Sequence, residues 1–227
     1  MNELIMLIIL IISFLTIVLS YILFDKRGFH FATTILSLIT FILSFKIGYI
    51  FKMNVNLGII TLLPLLGINY IYLIKYGNKN IKDLVIVSSI TNIIFAILLV
   101  ILNYYIPSLT ETISINIEET FKTNYKIIIM YPIIMTISEI ITIKLFSFIS
   151  SVTNNTFISL LLTYILTAIV YTIIFYMICY INVLSLKDSI FLGITTYIIG
   201  LIIHIINILF IIYLTKGKKV NKWETYY

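Results

Sequence analysis

The sequence predicts an all-α protein, a polytopic transmembrane helix bundle of about seven spans forming one domain over residues 1–227. Composition is the first reason: 61% of residues are hydrophobic, only 11% are charged, and the mean hydropathy is +1.15. A soluble domain is a little under half apolar and about a quarter charged. The second reason is continuity, since only three prolines and eight glycines interrupt the apolar runs. The third is that runs such as LIMLIILIISFLTIVLSYILF are apolar on every side. An outer-membrane barrel would instead show short segments of alternating hydrophobicity.

A helix needs about 20 apolar residues to cross the hydrocarbon core. Seven segments qualify, at 4–24, 31–51, 57–75, 84–106, 127–149, 157–181 and 189–214. The first lacks the basic stretch and small-residue cleavage site of a signal peptide, so it reads as a mature helix. DKRGFH separates it from the second span, and KMNVN separates the second from the third. The third carries Pro64 and closes on YGNKNIKD; the fourth leads into a longer polar stretch, PSLTETISINIEETFKTNYK. The fifth carries Pro132 and ends at SVTNN. NVLSLKD parts the sixth from the seventh, and the tail is TKGKKVNKWETYY. Pro64 and Pro132 each remove a backbone donor and kink their helices. Aromatic residues at span ends, such as Tyr104, Tyr105 and Tyr180, read as an interface belt.

Basic residues set the orientation. Lys26, Arg27, Lys75, Lys79, Lys82, Lys144, Lys216, Lys218, Lys219 and Lys222 fall on one side; Lys52, Lys122, Lys126 and Lys187 fall on the other, with Glu111, Glu118 and Glu119. The expectation is a multi-pass protein of the cell (inner) membrane with its N-terminus outside and its C-terminus cytoplasmic. The net charge of +6 is mostly this topogenic lysine, and no basic water-facing domain exists to bind nucleic acid. Cys179 is the single cysteine, so one chain can form neither a disulfide nor a cysteine-ligated metal site. No metal and no cofactor is expected.

Polar residues inside the spans carry the functional argument. Glu139 lies in IMTISEIITIKLF, twelve residues into the fifth span, which is about 18 Å along a helix. Thr136 and Thr142 share a broad face with it. Thr196, Gly200, His204 and Asn207 form one face of the seventh span. Lys46 in the second span, Asn69 in the third, and Ser88, Ser89 and Asn92 in the fourth complete the set. Either Glu139 pairs with Lys46 or His204 to brace the bundle, or these residues line a polar cavity at the midplane, where transporter sites lie. Interhelical polar contacts average about 0.6 kcal/mol, whereas burying a carboxylate costs about 2.5–3.5 kcal/mol. That imbalance favours the cavity for Glu139; Lys46 can snorkel outward.

The order of these features resembles the VUT family of queuosine precursor transporters, over nearly the whole chain. MNELIMLIILIISFLTIVLSYILFDKRGFH resembles the extra N-terminal helix and Gly-aromatic turn of Gram-positive-type members. Tyr76, Gly77 and Lys79 resemble the turn that closes the third span. Ser138-Glu139 stands where members have Ser-Gln, followed by the aromatic Phe146. Thr172 and Phe175 match part of an Asp-Thr-x-x-Phe motif, and Thr196-Tyr197 matches a pair opening the last span. The departures fall on polar positions. Tyr70, Ile74, Thr142 and Tyr171 replace the usual acids, Gly200 replaces a lysine, and Asn207-Ile208-Leu209 replaces Asp-Thr-Pro. Lys126 stands for an arginine at the start of the fifth span.

The resemblance implies an importer of a queuosine precursor (a 7-deazaguanine base) or a related small planar heterocycle. Its substrate-binding residues would be Glu139, His204, Asn207, Asn69, Tyr70, Tyr171 and Thr142. Glu139 would accept from an exocyclic amine and ring N–H, the asparagines would supply amide pairs, and the tyrosines would stack or donate. The alternative is a substrate-binding membrane subunit of an energy-coupling-factor importer, which works only with an energising partner. A homo-oligomer is equally compatible with the sequence. An enzyme is not expected: EETFKTNYK faintly resembles the Glu-Glu motif of CAAX-type proteases, but it lies in a polar stretch and lacks the following arginine.

Overall fold

A computed structural model describes residues 1–77, 81–103, 113–153, 155–180 and 184–215. Seven helices and one hairpin follow in the order α1 (Asn2–Phe24), α2 (Lys26–Ser44), β1 (Ile47–Ile50), β2 (Met53–Asn56), α3 (Ile59–Tyr76), α4 (Ile81–Asn103), α5 (Ile113–Thr153), α6 (Thr156–Cys179) and α7 (Leu186–Thr215). All seven helices are long and apolar enough to cross a membrane, so the chain is built as a multi-pass bundle. Tyr104, Tyr105, Lys79, Glu111 and the tail from Lys216 lie outside the described residues.

The helix α3 is the axis of the bundle. Its span is 89% buried, against 22% for α1 and 28% for α4, and it touches α1, α2, α4, α5 and α7. The outer helices turn Ile and Leu toward lipid, as a bundle in hydrocarbon must. Pro64 and Pro132 both sit inside continuous helices.

Several boundaries differ from the sequence reading, each for a local reason. DKRGFH is no loop: α1 ends at Phe24, α2 starts at Lys26, and Asp25 alone makes the reversal at φ 50°. Gly28 and Phe29, read as a turn, lie in the first turn of α2. Gly28 lets the two helices cross at backbone contact, because a Cβ there would lie 1.9 Å from the Ser20 carbonyl oxygen. The polar stretch before the fifth span is helical from Ile113 onward, which includes EETFKTNYK.

The largest difference lies at residues 45–56. The expected second span continued to residue 51, but α2 stops at Ser44 and an antiparallel hairpin follows, pairing Ile47 with Asn56 and Ile50 with Met53. A short apolar run at a helix end has no period that separates it from a strand. The two-residue turn is made by Phe51 and Lys52, both at positive φ (46° and 62°). Turns of this class need positive φ twice and usually use Asn-Gly. Here the strain is carried by ties to α1: the Phe51 N–H donates to Glu3 Oε1 at 3.1 Å, and Asn2 Nδ2 donates to the Tyr49 carbonyl at 2.8 Å.

Asn56 fastens the hairpin into the bundle. Its Nδ2 donates to the Ser44 carbonyl and to Tyr180 Oη, each at 2.8 Å, and its Oδ1 accepts from the Gly58 N–H at 2.9 Å. Its own N–H reaches Thr196 Oγ1 at 3.1 Å, while the Thr195 hydroxyl donates to the Asn54 carbonyl. The Tyr180 hydroxyl donates back to Ser44 at 2.9 Å. Tyr180 is therefore a buried joint and not the interface residue its position suggested. Asn56→Ala would leave buried groups unpaired, at about 1–3 kcal/mol each. Its melting temperature in detergent is expected to fall by several degrees, and Tyr180→Phe is expected to fall by less. Equal stability of Asn56→Ala and the parent would show that the hairpin is not held this way.

Candidate functional site

Glu139 sits halfway along the Tyr125–Thr153 span of α5 and is 1% exposed. The Ser88 hydroxyl of α4 donates to its Oε1 at 3.0 Å. One turn earlier, Thr136 Oγ1 donates to Ser89 Oγ at 2.8 Å and lies the same distance from the Pro132 carbonyl. These contacts dock α4 against α5 and fix the carboxylate's rotamer. Glu139 Oε2 has no hydrogen-bond partner in the protein.

The buried polar groups that α3, α4 and α5 add among the described residues are neutral. The Asn69 side chain of α3 is close enough to interact with the carboxylate, and its Nδ2 is itself unpartnered. Asn92, one turn beyond Ser88 on α4, is fully buried with neither side-chain polar atom partnered. The Tyr131 ring stacks on Phe41 at 4.3 Å between centroids, and its buried hydroxyl is unpartnered. Among the described residues the one ion pair joins the N-terminal ammonium to Glu3. Lys46 is exposed beside the hairpin, and His204 engages other groups. Neither basic partner considered from sequence meets Glu139.

A second polar group lies between α3, α6 and α7. His204 Nε2 lies 3.1 Å from the Leu160 carbonyl, so that nitrogen carries the proton, and Nδ1 is buried without a partner. The ring stacks on Tyr164 at 4.5 Å, with Tyr70 at 6.4 Å and Phe146 beyond it at 4.9 Å from Tyr70. Asn207 Nδ2 donates to the Leu63 carbonyl at 2.8 Å, next to Pro64, where its carboxamide packs against Gly67. The polar face of α7 is therefore spent largely on backbone carbonyls of neighbouring helices. Such bonds orient helices where no water competes.

The seven residues expected to contact substrate thus fall into three places. Glu139 and Asn69 are brought together. Tyr70, which follows Asn69 on α3, turns instead to His204, with Asn207 one turn further along α7. Tyr171 is half-buried, stacks on Phe175 at 5.4 Å, and through it approaches Tyr131 on the Glu139 side. Thr142 is buried one turn after Glu139.

Between α6 and α7 the structure opens a cavity of about 200 Å³ lined by Thr172, Tyr176, Ser189, Gly193 and Tyr197 among apolar side chains. It contains none of the seven residues expected to contact substrate, although Thr172 and Tyr197 stood at motif positions. Ser189, Gly193 and Tyr197 recur at four-residue spacing, a signal that could have marked this face.

No protein-family model, characterised protein or solved structure matches the chain.

The site is accordingly read from its own chemistry. Ser88 and Asn92 belong to the polar set that the sequence offers as a cavity lining, but not to the residues expected to contact substrate. Tyr131 was not singled out, because a tyrosine beside a proline in an apolar run carries no sign of where its hydroxyl points.

Proposed function

We propose that this chain is a membrane transporter for a small molecule and that Glu139 receives the substrate's hydrogen-bond donors. One observation carries the reading: a carboxylate at mid-span, buried, with one oxygen fixed by Ser88 and the other unpartnered, and, among the described residues, with no basic side chain paired to it. A purely structural carboxylate in hydrocarbon is normally paired. Here Asn69 and Asn92 add unpartnered carboxamide atoms from two other helices, which suits recognition of a ligand edge bearing several donors and acceptors. The stacked Tyr131–Phe41 pair offers flat apolar surface nearby.

The substrate class proposed is a planar nitrogen heterocycle, a 7-deazaguanine base in keeping with the VUT-like order of motifs. Uptake of radiolabelled 7-deazaguanine in cells lacking their own importer tests this. Expression of this chain alone is expected to give uptake that unlabelled 7-deazaguanine competes away. Uptake only when an ATPase module is supplied would make the chain an energy-coupling-factor subunit instead. No uptake of the label under either condition would remove the heterocycle reading.

The orientation proposed places the hairpin end outside and the Asp25 end in the cytoplasm. At the latter, Lys75 Nζ sits 4.1 Å from the Tyr21 ring centroid, and Lys26 Nζ lies 5.5 Å from that of Tyr76. Basic residues anchored on interfacial aromatics belong on the cytoplasmic side. An alkaline phosphatase fusion after Thr215 is expected to be inactive and a green fluorescent protein fusion bright. The reverse pattern would invert the topology.

A further inference from the structure

Resting on the reading of Glu139 as the substrate's acceptor, we infer that a proton and the substrate alternate on this one carboxylate. The empty site holds Glu139 as the neutral acid. Substrate binding breaks the Oε2–H bond, releases that proton to water, and replaces it with N–H donors of the ligand. When the ligand leaves, Glu139 takes up a proton again and the empty site returns to the neutral acid. Ligand binding is thereby linked to release of one proton to water, and the negative charge left on Glu139 is held by the ligand's charge-assisted N–H bonds.

The geometry requires some such compensation. An unpaired carboxylate in a low-dielectric interior costs several kcal/mol even after relaxation. Groups facing Glu139 from the packed helices do not supply it. Helix α4 offers the Ser88 hydroxyl, α3 offers Asn69 and the neighbouring Tyr70, and α6 offers Tyr171 on the Tyr131 side. On α5 itself the titratable neighbour is Tyr131, while Lys144 is exposed five positions away on another face and Lys126 lies near the start of the span. In the empty site Ser88 donates to Oε1 alone, and no hydrogen bond reaches Oε2 to hold a negative charge there. The oxygen that would carry the proton is the one that Ser88 does not hold.

A proton also explains why one acid suffices. Among the described residues no cluster of acids or histidines could hold a metal ion there, and an empty site needs its charge cancelled by something always at hand.

Infrared spectroscopy of the whole protein in lipid nanodiscs tests this without relying on transport. At neutral pH the substrate-free protein is expected to show the carbonyl stretch of a buried carboxylic acid. The band should be absent from Glu139→Gln and shifted, but present, in Ser88→Ala, which loses only the donor to Oε1. Adding 7-deazaguanine is expected to abolish the band, release about one proton per ligand, and give binding that weakens about tenfold per unit of acidification. Absence of the band in the parent overturns the inference. So does a band that persists in saturating ligand, in which case transport through this site stands without proton exchange. A band seen in choline chloride but lost in sodium chloride would make sodium the counterion and also overturn it. If 7-deazaguanine fails to bind, the heterocycle reading falls by itself, and the band alone decides whether Glu139 holds a proton.

Discussion

Glu139→Gln is expected to accumulate in the membrane at the parent's level and to melt within a few degrees of it, yet to lose most of its substrate uptake. Glutamine has the size of glutamate and keeps an acceptor for the Ser88 hydroxyl, the one hydrogen bond the carboxylate makes at 3.0 Å. Since no basic residue among the described ones pairs with Glu139, the substitution strands no buried cation, which is the usual cause of collapse when half of a buried pair is removed. What disappears is the charge that strengthens bonds to the ligand. A hydrogen bond to a charged group is worth about 1.5–3 kcal/mol, so losing one as the Gln amide meets the ligand's donors gives roughly a ten- to hundredfold loss in uptake at low substrate. The measurement is uptake of labelled 7-deazaguanine divided by protein level. Asn92→Ala, which removes unpartnered amide atoms one turn from Ser88, is expected to reduce normalised uptake less. If Glu139→Gln instead lowers abundance while uptake per molecule is unchanged, Glu139 is a brace and the site lies elsewhere.

The second large effect is structural. Gly28→Ala is expected to destabilise the protein by about 3 kcal/mol, the upper end of the usual cost of overpacking. The added methyl would sit 1.9 Å from the Ser20 carbonyl oxygen and 2.4 Å from its carbon. Both are backbone atoms of α1, so no rotamer change relieves the clash, and the helices must part around the Asp25 reversal. Separating them would also loosen the stacking of Phe29 on Tyr21, 5.0 Å between centroids. Gly193→Ala is the matched control, for its methyl would meet the Tyr176 ring at 3.4 Å, an ordinary contact. Its stability is expected to stay within about 0.5 kcal/mol of the parent. Thermal unfolding followed by size-exclusion chromatography distinguishes the two. Equal melting of Gly28→Ala and the parent would mean that α1 and α2 do not cross this closely.

Seven helices were legible in the sequence because bilayer thickness imposes one length on every span, and apolar runs of that length reveal themselves without knowledge of their neighbours. The unusual position of Glu139 was legible for the same reason, a charge being conspicuous where hydrocarbon surrounds it. The sequence could not say what Glu139 touches. Lys46 and His204 were as plausible from spacing as Ser88, and only the packing of α4 against α5 selects the serine. Periodicity reports which face of a helix is buried but not which helix covers it. For that reason the polar face of α7 was correctly read as one face, while its division among Thr196 on the hairpin, His204 on α6 and Asn207 on α3 was decided by the bundle. The hairpin was invisible for a further reason. Its strands are only four residues each, too short to show alternation, and its buried carboxamide bonds join Asn56 to Ser44 and to Tyr180, 124 positions away. A polar residue in a connecting segment ordinarily faces water. Here tertiary structure folds the segment back between helices, where Asn56 must satisfy backbone groups that water would otherwise have served.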